Sequence, residues 1–302
     1  MRYVLITPVR NEEKFIENTL RSMAAQTLRP ERWVIVDDGS IDGTLRLIQQ
    51  YSANRPWIEV VQRQQRRDRS FSGKVDAFNA GWDRVRSLSF DVIGNLDGDL
   101  SFDADYLEFL MSKFAQDSRL GVAGTPFTED GGYDTALHSF EGENYVAGGC
   151  QLFRYQCFQE IGGYVANKAG GVDWIAVMSA RMKGWKVRSF PEKRFHHHRS
   201  LGTAERGYIG AMFQYGERAY YLGGSPIWHT CRCLFRMTRR PFVTGGASLM
   251  AGYLYAAVRR TKRPVSREMI RFHRKEQMQK LTSICKAVLR RQKVDSFRLA
   301  PE

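Results

Sequence analysis

The chain has 302 residues and 43% of them are hydrophobic, which excludes a disordered protein and allows a sizeable core. Its five cysteines lack the paired spacing of a zinc site or a disulfide framework, which favours free thiols in a reducing cytosol. The net charge is +14: residues 1–230 contain 28 basic and 28 acidic residues, and residues 231–302 contain 18 and 4. The last quarter therefore predicts an acidic partner, either nucleic acid or an anionic membrane surface.

Strands and helices alternate through the first half of the sequence. Short apolar runs rich in β-branched residues predict strands at residues 3–7, 33–36, 58–61 and 91–96. Apolar residues at helical spacing predict helices at residues 12–26, 43–51, 74–85 and 104–114, with Asn11 and Asp42 as candidate N-caps of the first two. This alternation favours an α/β fold with a mostly parallel sheet flanked by helices, in which ligands bind at the carboxyl ends of the strands.

Polar clusters follow three of these strands, at residues 8–12, 37–40 and 97–99. In the last cluster Asp97 and Asp99 point to the same side of an extended chain, and Gly98 lets the backbone approach a ligand closely. Two carboxylates held close together repel each other unless a cation binds between them. A divalent ion needs only one or two protein carboxylates if a substrate diphosphate supplies the other oxygens. A solvated turn is the alternative, because Asp and Gly are favoured turn residues.

The second part of the sequence, residues 121–200, is richer in glycine pairs, which permit tight turns. We interpret it as the acceptor side of a cleft, with a helix at residues 173–183 and a strand beginning at residue 187. Three consecutive histidines and Arg199 follow that strand.

The clusters share their order with a known family. P-x-x-N-E follows the first strand at residues 8–12, V-D-D-G-S lies at 36–40, G-K-x-x-A-x-N-x-G at 73–81, and D-x-D at 97–99. An acid that opens a helix, Asp173, completes the series. Over residues 3–200 the chain thus resembles the family 2 glycosyltransferases of GT-A fold. The resemblance implies a catalytic domain at 1–203, with a nucleotide-sugar half at 1–120 and an acceptor half at 121–203, before a basic helical region at 204–302.

The resemblance also implies a donor site for a nucleotide sugar, with a UDP-sugar favoured and a GDP-sugar as the alternative. Its residues would be Pro8, Val9, Arg10, Glu12, Asp37, Asp38, Lys74, Asp97, Gly98 and Asp99. Asp97 and Asp99 would hold Mg²⁺ or Mn²⁺ on the diphosphate. His198 is a further candidate metal ligand, with a surface or packing histidine as its alternative. Lys74 by itself also fits a solvated lysine at a helix start.

Asp173 is the candidate general base. In an inverting transfer an acceptor hydroxyl attacks the anomeric carbon while a carboxylate removes its proton. The alternative for Asp173 is a helix N-cap. Gly149 and Trp174 are the candidate acceptor contacts, although a buried role for the indole is equally compatible with the sequence.

The basic tail contains an uncharged stretch, residues 241–258, with arginines on both sides. It is barely long enough to span a bilayer, and an interfacial or re-entrant helix on an anionic leaflet fits it better. An internal helix of the protein is the alternative. Residues 267–280 predict a basic amphipathic helix.

These features together predict an inverting glycosyltransferase with a saccharide or lipid-linked saccharide as acceptor, in cell-surface polysaccharide or glycolipid synthesis. The N-terminus shows no signal-peptide pattern, so we expect a cytoplasmic protein that is peripheral at the inner face of the cell membrane. The alternative is a nucleotide-binding fold that binds nucleic acid through its basic tail. It is not expected, because interleaved aromatics and zinc-finger spacing are missing. A nucleotidyltransferase is a third possibility. It would need a glycine-rich loop with basic residues after the first strand, and the chain has Pro8-Val9-Arg10-Asn11 there instead, which argues against it.

Overall fold

The computed structural model describes residues 1–65, 71–130, 132–138, 142–167, 170–199, 207–239 and 241–290, with only the backbone described at 71, 72 and 138. The chain divides into two compact units, Met1–Arg199 and Ser200–Glu302. The predicted boundary at residue 203 lies within residues 200–206, outside the described residues.

The first unit contains strands and helices in alternation. Its strands are β1 (Tyr3–Val9), β2 (Arg32–Asp37), β3 (Ile58–Gln62), β4 (Val92–Leu96), β5 (Leu100–Ser101), β6 (Leu120–Gly124), β7 (Phe127–Glu129), β8 (Tyr133–Asp134), β9 (Cys150–Arg154), β10 (Lys186–Ser189) and β11 (Phe195–His197). Its helices are α1 (Ile16–Ala24), α2 (Thr44–Ser52), α3 (Phe71–Val85), α4 (Tyr106–Gln116), α5 (Thr135–His138), α6 (Tyr155–Glu160) and α7 (Val172–Met182).

The described strands form two sheets. The larger has the order β10-β6-β9-β4-β1-β2-β3, and β9 alone among these strands runs antiparallel to its neighbours, β4 and β6. The smaller has the order β5-β11-β7-β8. The predicted α/β class with a mostly parallel sheet is therefore confirmed, and the carboxyl ends of β1, β2 and β4 lie at one edge, as expected.

The larger sheet is buried on both faces. Leu5 of β1 and Trp33 of β2 belong to one hydrophobic cluster, whereas the next residues along each strand belong to a second cluster on the other face. Helix α3 packs very closely on β1, because a Cβ at Gly81 would lie only 2.5 Å from the side chain of Ile6. This packing fixes the start of α3, which carries Lys74, near the end of β4.

The first helix begins later than predicted. It starts at Ile16 instead of residue 12, and Asn11 is not its N-cap. Asn11 has a φ of +56°, and its side-chain oxygen accepts a hydrogen bond from the backbone of Ile41 at 2.9 Å. Asp42 accepts from the backbone N–H of Thr44, the first residue of α2, at 3.1 Å, but the N-cap position of that helix is Gly43. Helix α4 begins at Tyr106, two residues later than predicted.

The second unit is helical in its described part. Its helices are α8 (Gly207–Tyr221), α9 (Pro226–Met237), α10 (Thr244–Val258) and α11 (Arg267–Leu289). Helix α10 occupies the uncharged stretch, and one of its faces packs inside the unit. A Cβ at Gly252 would lie 1.9 Å from the carbonyl oxygen of Phe213 in α8, so the two backbones are in contact. The internal-helix alternative thus holds for this face. Among the described helices, none has the length and apolarity needed to cross a membrane.

Candidate active site

Hydrogen bonds join the loop after β1 to the loop after β2. The backbone N–H of Asn11 donates to Ser40 Oγ at 3.0 Å, and that of Glu12 donates to Thr44 Oγ1 at 2.7 Å. The backbone N–H of Asp38 donates to the carbonyl of residue 9 at 2.9 Å. The two loops thus form one rim at the carboxyl edge of the sheet.

The two predicted donor-binding carboxylates of the second loop are buried. Arg63 donates to Asp38 at 2.8 Å and forms an ion pair with it. Asp37 accepts from the backbone of Ser40 at 3.2 Å through Oδ1, whereas its Oδ2 is buried and has no hydrogen-bond partner within the described chain. Pro8 and Arg10 are half-buried at the end of β1.

Lys74 and Asp97 form a short ion pair, with Nζ and Oδ1 only 2.5 Å apart. Asn95 donates to the same carboxylate oxygen at 2.9 Å, and the backbone N–H of Asp97 donates to the carbonyl of Gly149 at 2.8 Å. Burial lowers the pKa of Lys74, but the nearby carboxylates of Asp97, Asp173 and Asp99 outweigh it, so its pKa is raised. The ammonium group therefore stays charged among three acidic side chains.

Asp99 is buried beside two cationic side chains. Its Oδ2 lies 3.5 Å from Nε2 of His197 and 3.6 Å from Nε of Arg199. Burial and the charge of Asp97 raise the pKa of Asp99, although the cations offset part of this effect. Its other oxygen, Oδ1, is buried and has no hydrogen-bond partner within the described chain.

The structure brings the imidazole of His197, and not that of the predicted His198, to the carboxylate of Asp99, whereas the backbone N–H of His198 donates to the carbonyl of Asp99 at 2.9 Å. His198 Nε2 lies 2.9 Å from Ser101 Oγ, and its ring stacks on Phe15. Successive side chains of a strand point to opposite faces, so His197 shares the inward face of β11 with the buried Phe195. This alternation of side chains along the strand can be read from the sequence, and it would have pointed to His197 as the histidine that faces inward.

Glu129 contacts the ring nitrogen of His197 that faces away from Asp99. It lies in β7, is buried, and places Oε1 3.4 Å from Nδ1 of the imidazole. Burial lowers the pKa of His197, but Glu129 and Asp99 outweigh it and raise the pKa. Arg199 in turn binds Glu12 of the first loop, so these charged side chains link the smaller sheet to the donor rim.

Gly98 and Gly149 lie where a side chain would disturb packing. A Cβ at Gly98 would be 2.8 Å from Cγ1 of Val9, and one at Gly149 would be 3.1 Å from the ring of Phe195. The side chain of Val9 is buried, and its carbonyl accepts the hydrogen bond from Asp38, so its predicted contact with the donor stays a prediction. Both glycines let the D-x-D loop lie against its neighbours.

Asp173 lies in the first turn of α7, and its Oδ2 accepts a hydrogen bond from the hydroxyl of Tyr145 at 2.9 Å. The N-cap position of α7 is Gly171, so the N-cap alternative for Asp173 is not what the structure shows. A Cβ at Gly148 would lie 2.9 Å from that of Asp173, which allows the carboxylate to approach the backbone near the D-x-D loop. Trp174 is 7% exposed, which favours the buried alternative for its indole over an acceptor-stacking surface.

The structure gathers most of the sequence-predicted residues and adds several that sequence reasoning missed. Asn95, Glu129 and Tyr145 belong to the second group. Asn95 is the next-to-last residue of β4, the strand that precedes the D-x-D cluster, and a polar residue at that point of an apolar strand is a usable signal. Glu129 ends the three-residue strand β7 and Tyr145 lies in a loop, and no motif marks either of them.

The acidic pair fits a divalent cation that takes its other ligands from a diphosphate. Among the described residues no group of three or more His, Cys, Asp or Glu side chains is arranged to hold a metal by itself. Mg²⁺ is commonly held by one or two carboxylates together with substrate phosphates, and the orphaned Oδ1 of Asp99 is a suitable ligand.

A family model described as glycosyl transferase family 2 matches residues 4–170, which is more than half of the chain. The chain belongs to this family. The poly-β-1,6-N-acetyl-D-glucosamine synthase of Staphylococcus aureus is 32% identical over 117 residues, which are 38% of this chain and 26% of the synthase. The chain thus matches about a quarter of the length of that curated relative.

Solved structures confirm the GT-A type of fold. A mannosyltransferase from Pyrobaculum calidifontis, PcManGT, in complex with GDP-Man and Mn²⁺, has a TM-score of 0.57 at 16% identity and aligns over 95% of this chain and 80% of its own. S. aureus TarS 1–349 in complex with UDP-GlcNAc has a TM-score of 0.54 at 16% identity, over 70% of this chain and 65% of its own.

Proposed function

We propose that this family 2 member is an inverting glycosyltransferase that moves a sugar from a nucleotide sugar to a saccharide or lipid-linked saccharide. The observation that carries the proposal is the ion pair of Lys74 with Asp97 at 2.5 Å, beside Asp99 and Asp173, and these three carboxylates raise the pKa of Lys74. A donor site and a candidate base thus share one edge of the sheet. Such an edge is where α/β sheets bind their ligands.

The donor would lie along the rim formed by the first two loops. Asp37 and Asp38 offer carboxylates that accept hydrogen bonds from a base or a ribose, and Arg10 and Glu12 flank them. A carboxylate suits either uracil or guanine. TarS binds UDP-GlcNAc and the S. aureus synthase makes a polymer of N-acetylglucosamine, which favours a UDP-sugar, whereas the GDP-Man complex of PcManGT keeps a GDP-sugar as the alternative.

Asp173 would act as the general base. The acceptor hydroxyl oxygen forms the new bond to the anomeric carbon, and its proton passes to the Asp173 carboxylate. The bond from the anomeric carbon to the diphosphate oxygen breaks on the opposite face, and its electron pair leaves with the nucleoside diphosphate. The hydrogen bond from Tyr145 orients the base for this transfer.

Asp97 and Asp99 would hold Mg²⁺ or Mn²⁺ at the diphosphate. A metal bound there would neutralise the negative charge that develops on the leaving nucleoside diphosphate. Lys74 adds a second positive charge beside the same acids. His197 and Arg199 hold the carboxylate of Asp99 from the other side, at 3.5 and 3.6 Å.

The acceptor side and the cellular setting follow from the family and the tail. The S. aureus synthase is named for a polysaccharide product, which supports a role in cell-surface polysaccharide or glycolipid synthesis. The excess of 18 basic over 4 acidic residues in 231–302 supports a peripheral position on an anionic membrane surface at the cytoplasmic side.

A transfer assay tests this function. The full-length protein is incubated with radiolabelled UDP- and GDP-sugars, Mn²⁺ and a mixture of lipid-linked and soluble oligosaccharides. We expect metal-dependent incorporation of one sugar, with inverted anomeric configuration in the product by NMR. Incorporation that is retained in EDTA would contradict the metal assignment, and a product with retained configuration would contradict the role of Asp173.

A further inference from the structure

The outer face of α10 carries an uncharged stripe along the whole helix. Its exposed residues recur at three- or four-residue intervals, so they share one face: Thr244, Ala247, Ala251, Leu254, Tyr255 and Val258. Leu254 is 53% exposed and Val258 is 83% exposed. We call this face the α10 stripe. It lies opposite the glycine-rich face that packs on α8.

A strained turn precedes the stripe. Val243 has φ 61° and ψ −55°, and the backbone N–H of Thr244 donates to the carbonyl of Phe242 at 2.6 Å, which together define a γ-turn. A β-branched residue rarely adopts a positive φ, and such strain persists only where the surrounding structure holds it; here the backbone N–H of Val243 donates to the carbonyl of Met237 at 3.0 Å. Here the turn holds Phe242 and Val243 outward, each 59% exposed.

Positive charge flanks both ends of the stripe. Arg239 precedes the strained turn, and Arg259 and Arg260 follow the last turn of α10. The guanidinium of Arg259 lies 4.8 Å from the centre of the Tyr255 ring, next to the stripe. Between these arginines, residues 241–258 contain no charge. An apolar face bordered by arginines is the pattern of a helix that lies in the plane of an anionic lipid surface.

We propose that the α10 stripe and the turn at Phe242 and Val243 dock the protein flat on an anionic bilayer, with these two side chains inserted among the lipid headgroups. The proposal rests on the proposed function in one respect, namely that a lipid-linked acceptor requires such a surface. Helix α10 cannot leave its unit to cross the bilayer, because its inner face touches the backbone of α8 at Gly252. The stripe therefore binds at the interface without spanning it.

Vesicle flotation tests the docking face. The full-length protein is mixed with phosphatidylcholine vesicles that either contain or lack phosphatidylglycerol. We expect binding only to the anionic vesicles, and a loss of roughly tenfold or more in binding for the double variant Leu254→Glu/Val258→Glu. The matched control is Leu137→Glu/Val165→Glu, whose wild-type side chains are 74% and 55% exposed in the other unit. The control should bind like the wild type.

Insertion of the turn has its own test. The Phe242→Trp variant should show a blue-shifted emission that brominated phosphatidylglycerol quenches, whereas Leu137→Trp should show neither effect. Equal quenching of the two variants, or wild-type flotation by Leu254→Glu/Val258→Glu with an unchanged circular dichroism spectrum, would overturn the proposal. The proposal would also be overturned if light scattering showed a dimer for the wild type and a monomer for this double variant, and if the wild type did not bind vesicles. A second copy of the chain would then cover the stripe.

The docking test is separable from the proposed function. Nucleoside-diphosphate binding is measured by calorimetry on the same preparations without lipid, and it should be equal for the wild type and Leu254→Glu/Val258→Glu. Vesicle binding without nucleotide binding would leave the docking face intact and contradict the transferase. Nucleotide binding without vesicle binding would contradict the docking face and leave the transferase intact.

Discussion

The ammonium of Lys74 lies 2.5 Å from Oδ1 of Asp97, the first acid of the D-x-D cluster. A cation of the protein itself thus occupies a position beside the carboxylates proposed to hold a metal ion. Without nucleotide, a divalent ion has to compete with this ion pair for Asp97. With a diphosphate present, the phosphate oxygens offer Lys74 another partner.

This competition predicts the behaviour of Lys74→Met. Its free energy of unfolding should be lower than that of the wild type without metal, because Asp97 loses its ion-pair partner and the repulsion between Asp97 and Asp99 is then offset only by the groups beside Asp99. Mn²⁺ alone should raise the melting temperature more in this variant than in the wild type. Lys186→Met is the matched control, since Lys186 pairs with Asp117 at 2.6 Å elsewhere in the fold. Equal Mn²⁺ responses in all three proteins would contradict the prediction.

Glu129 is predicted to act through His197 on Asp99. Partners of this kind typically change metal affinity by about 10- to 100-fold when they are replaced. We therefore expect Glu129→Gln to weaken Mn²⁺ binding by about tenfold in the presence of the nucleoside diphosphate, measured by titration calorimetry. Glu143→Gln is the control, because Glu143 is also shielded and pairs with Arg188 at 3.1 Å. If the two variants bind Mn²⁺ equally, Glu129 has no such role.

Asp173→Asn should separate chemistry from donor binding. An amide cannot take the proton of the acceptor hydroxyl, so kcat should fall by about 10² to 10⁴, while the dissociation constant of the donor changes little. Tyr145→Phe should lower kcat by a smaller factor, because the base stays but loses its orienting hydrogen bond. Glu108→Gln, in the first turn of α4, is the control. Near wild-type turnover of Asp173→Asn would remove Asp173 as the base.

Much of the donor half could be predicted because its chemistry follows regular strands. Each polar cluster begins where an apolar run ends, so the edge shared by Asp37, Asp97 and the first loop is readable from strand periodicity. The parallel order of β1, β2, β3 and β4 follows from the helices between them. The family match confirms the predicted family, and the sheet order confirms the predicted parallel arrangement of these strands; the roles of the donor-site residues stay predictions.

Other parts depend on tertiary packing that sequence periodicity does not encode. The start of α1 shifted because Asn11 binds the second loop instead of capping a helix. The choice between His197 and His198 depended on the strand register of β11, and Trp174 became a core residue because α7 packs against the sheet. The uncharged stretch proved two-sided, with glycines such as Gly252 on one face and exposed apolar residues on the other.

Acid should destabilise the second unit through His229. Burial lowers the pKa of this imidazole to about 4, with Arg232 adding to the effect, and Nε2 lies 3.3 Å from the carbonyl of Leu249. Since the folded pKa lies below the ordinary value of 6.5, the unfolded chain binds the proton first as the pH falls. The stability from the neutral ring is complete above pH 6.5 and is lost toward pH 4, by about 3 kcal/mol at most.

Thermal melting between pH 7 and pH 4.5 checks this expectation. His229→Gln keeps a donor for the carbonyl of Leu249 but removes the titrating group. Its melting temperature should fall less steeply with pH than that of the wild type. His196→Gln, a half-buried histidine of the first unit, is the control and should keep the wild-type slope. Parallel curves for His229→Gln and the wild type would contradict the assignment.

Thermal stabilisation by nucleoside diphosphates, measured with and without Mn²⁺, reports on the proposed metal–diphosphate site at Asp99. A ligand that binds the folded state raises the melting temperature. We predict a shift with either UDP or GDP that requires Mn²⁺ and is lost in Asp99→Asn, while Asp103→Asn, an exposed carboxylate nearby, behaves like the wild type. An equal Mn²⁺-dependent shift in Asp99→Asn and the wild type would contradict a metal–diphosphate site at Asp99. A well-folded wild-type protein that no nucleoside diphosphate stabilises would contradict it as well.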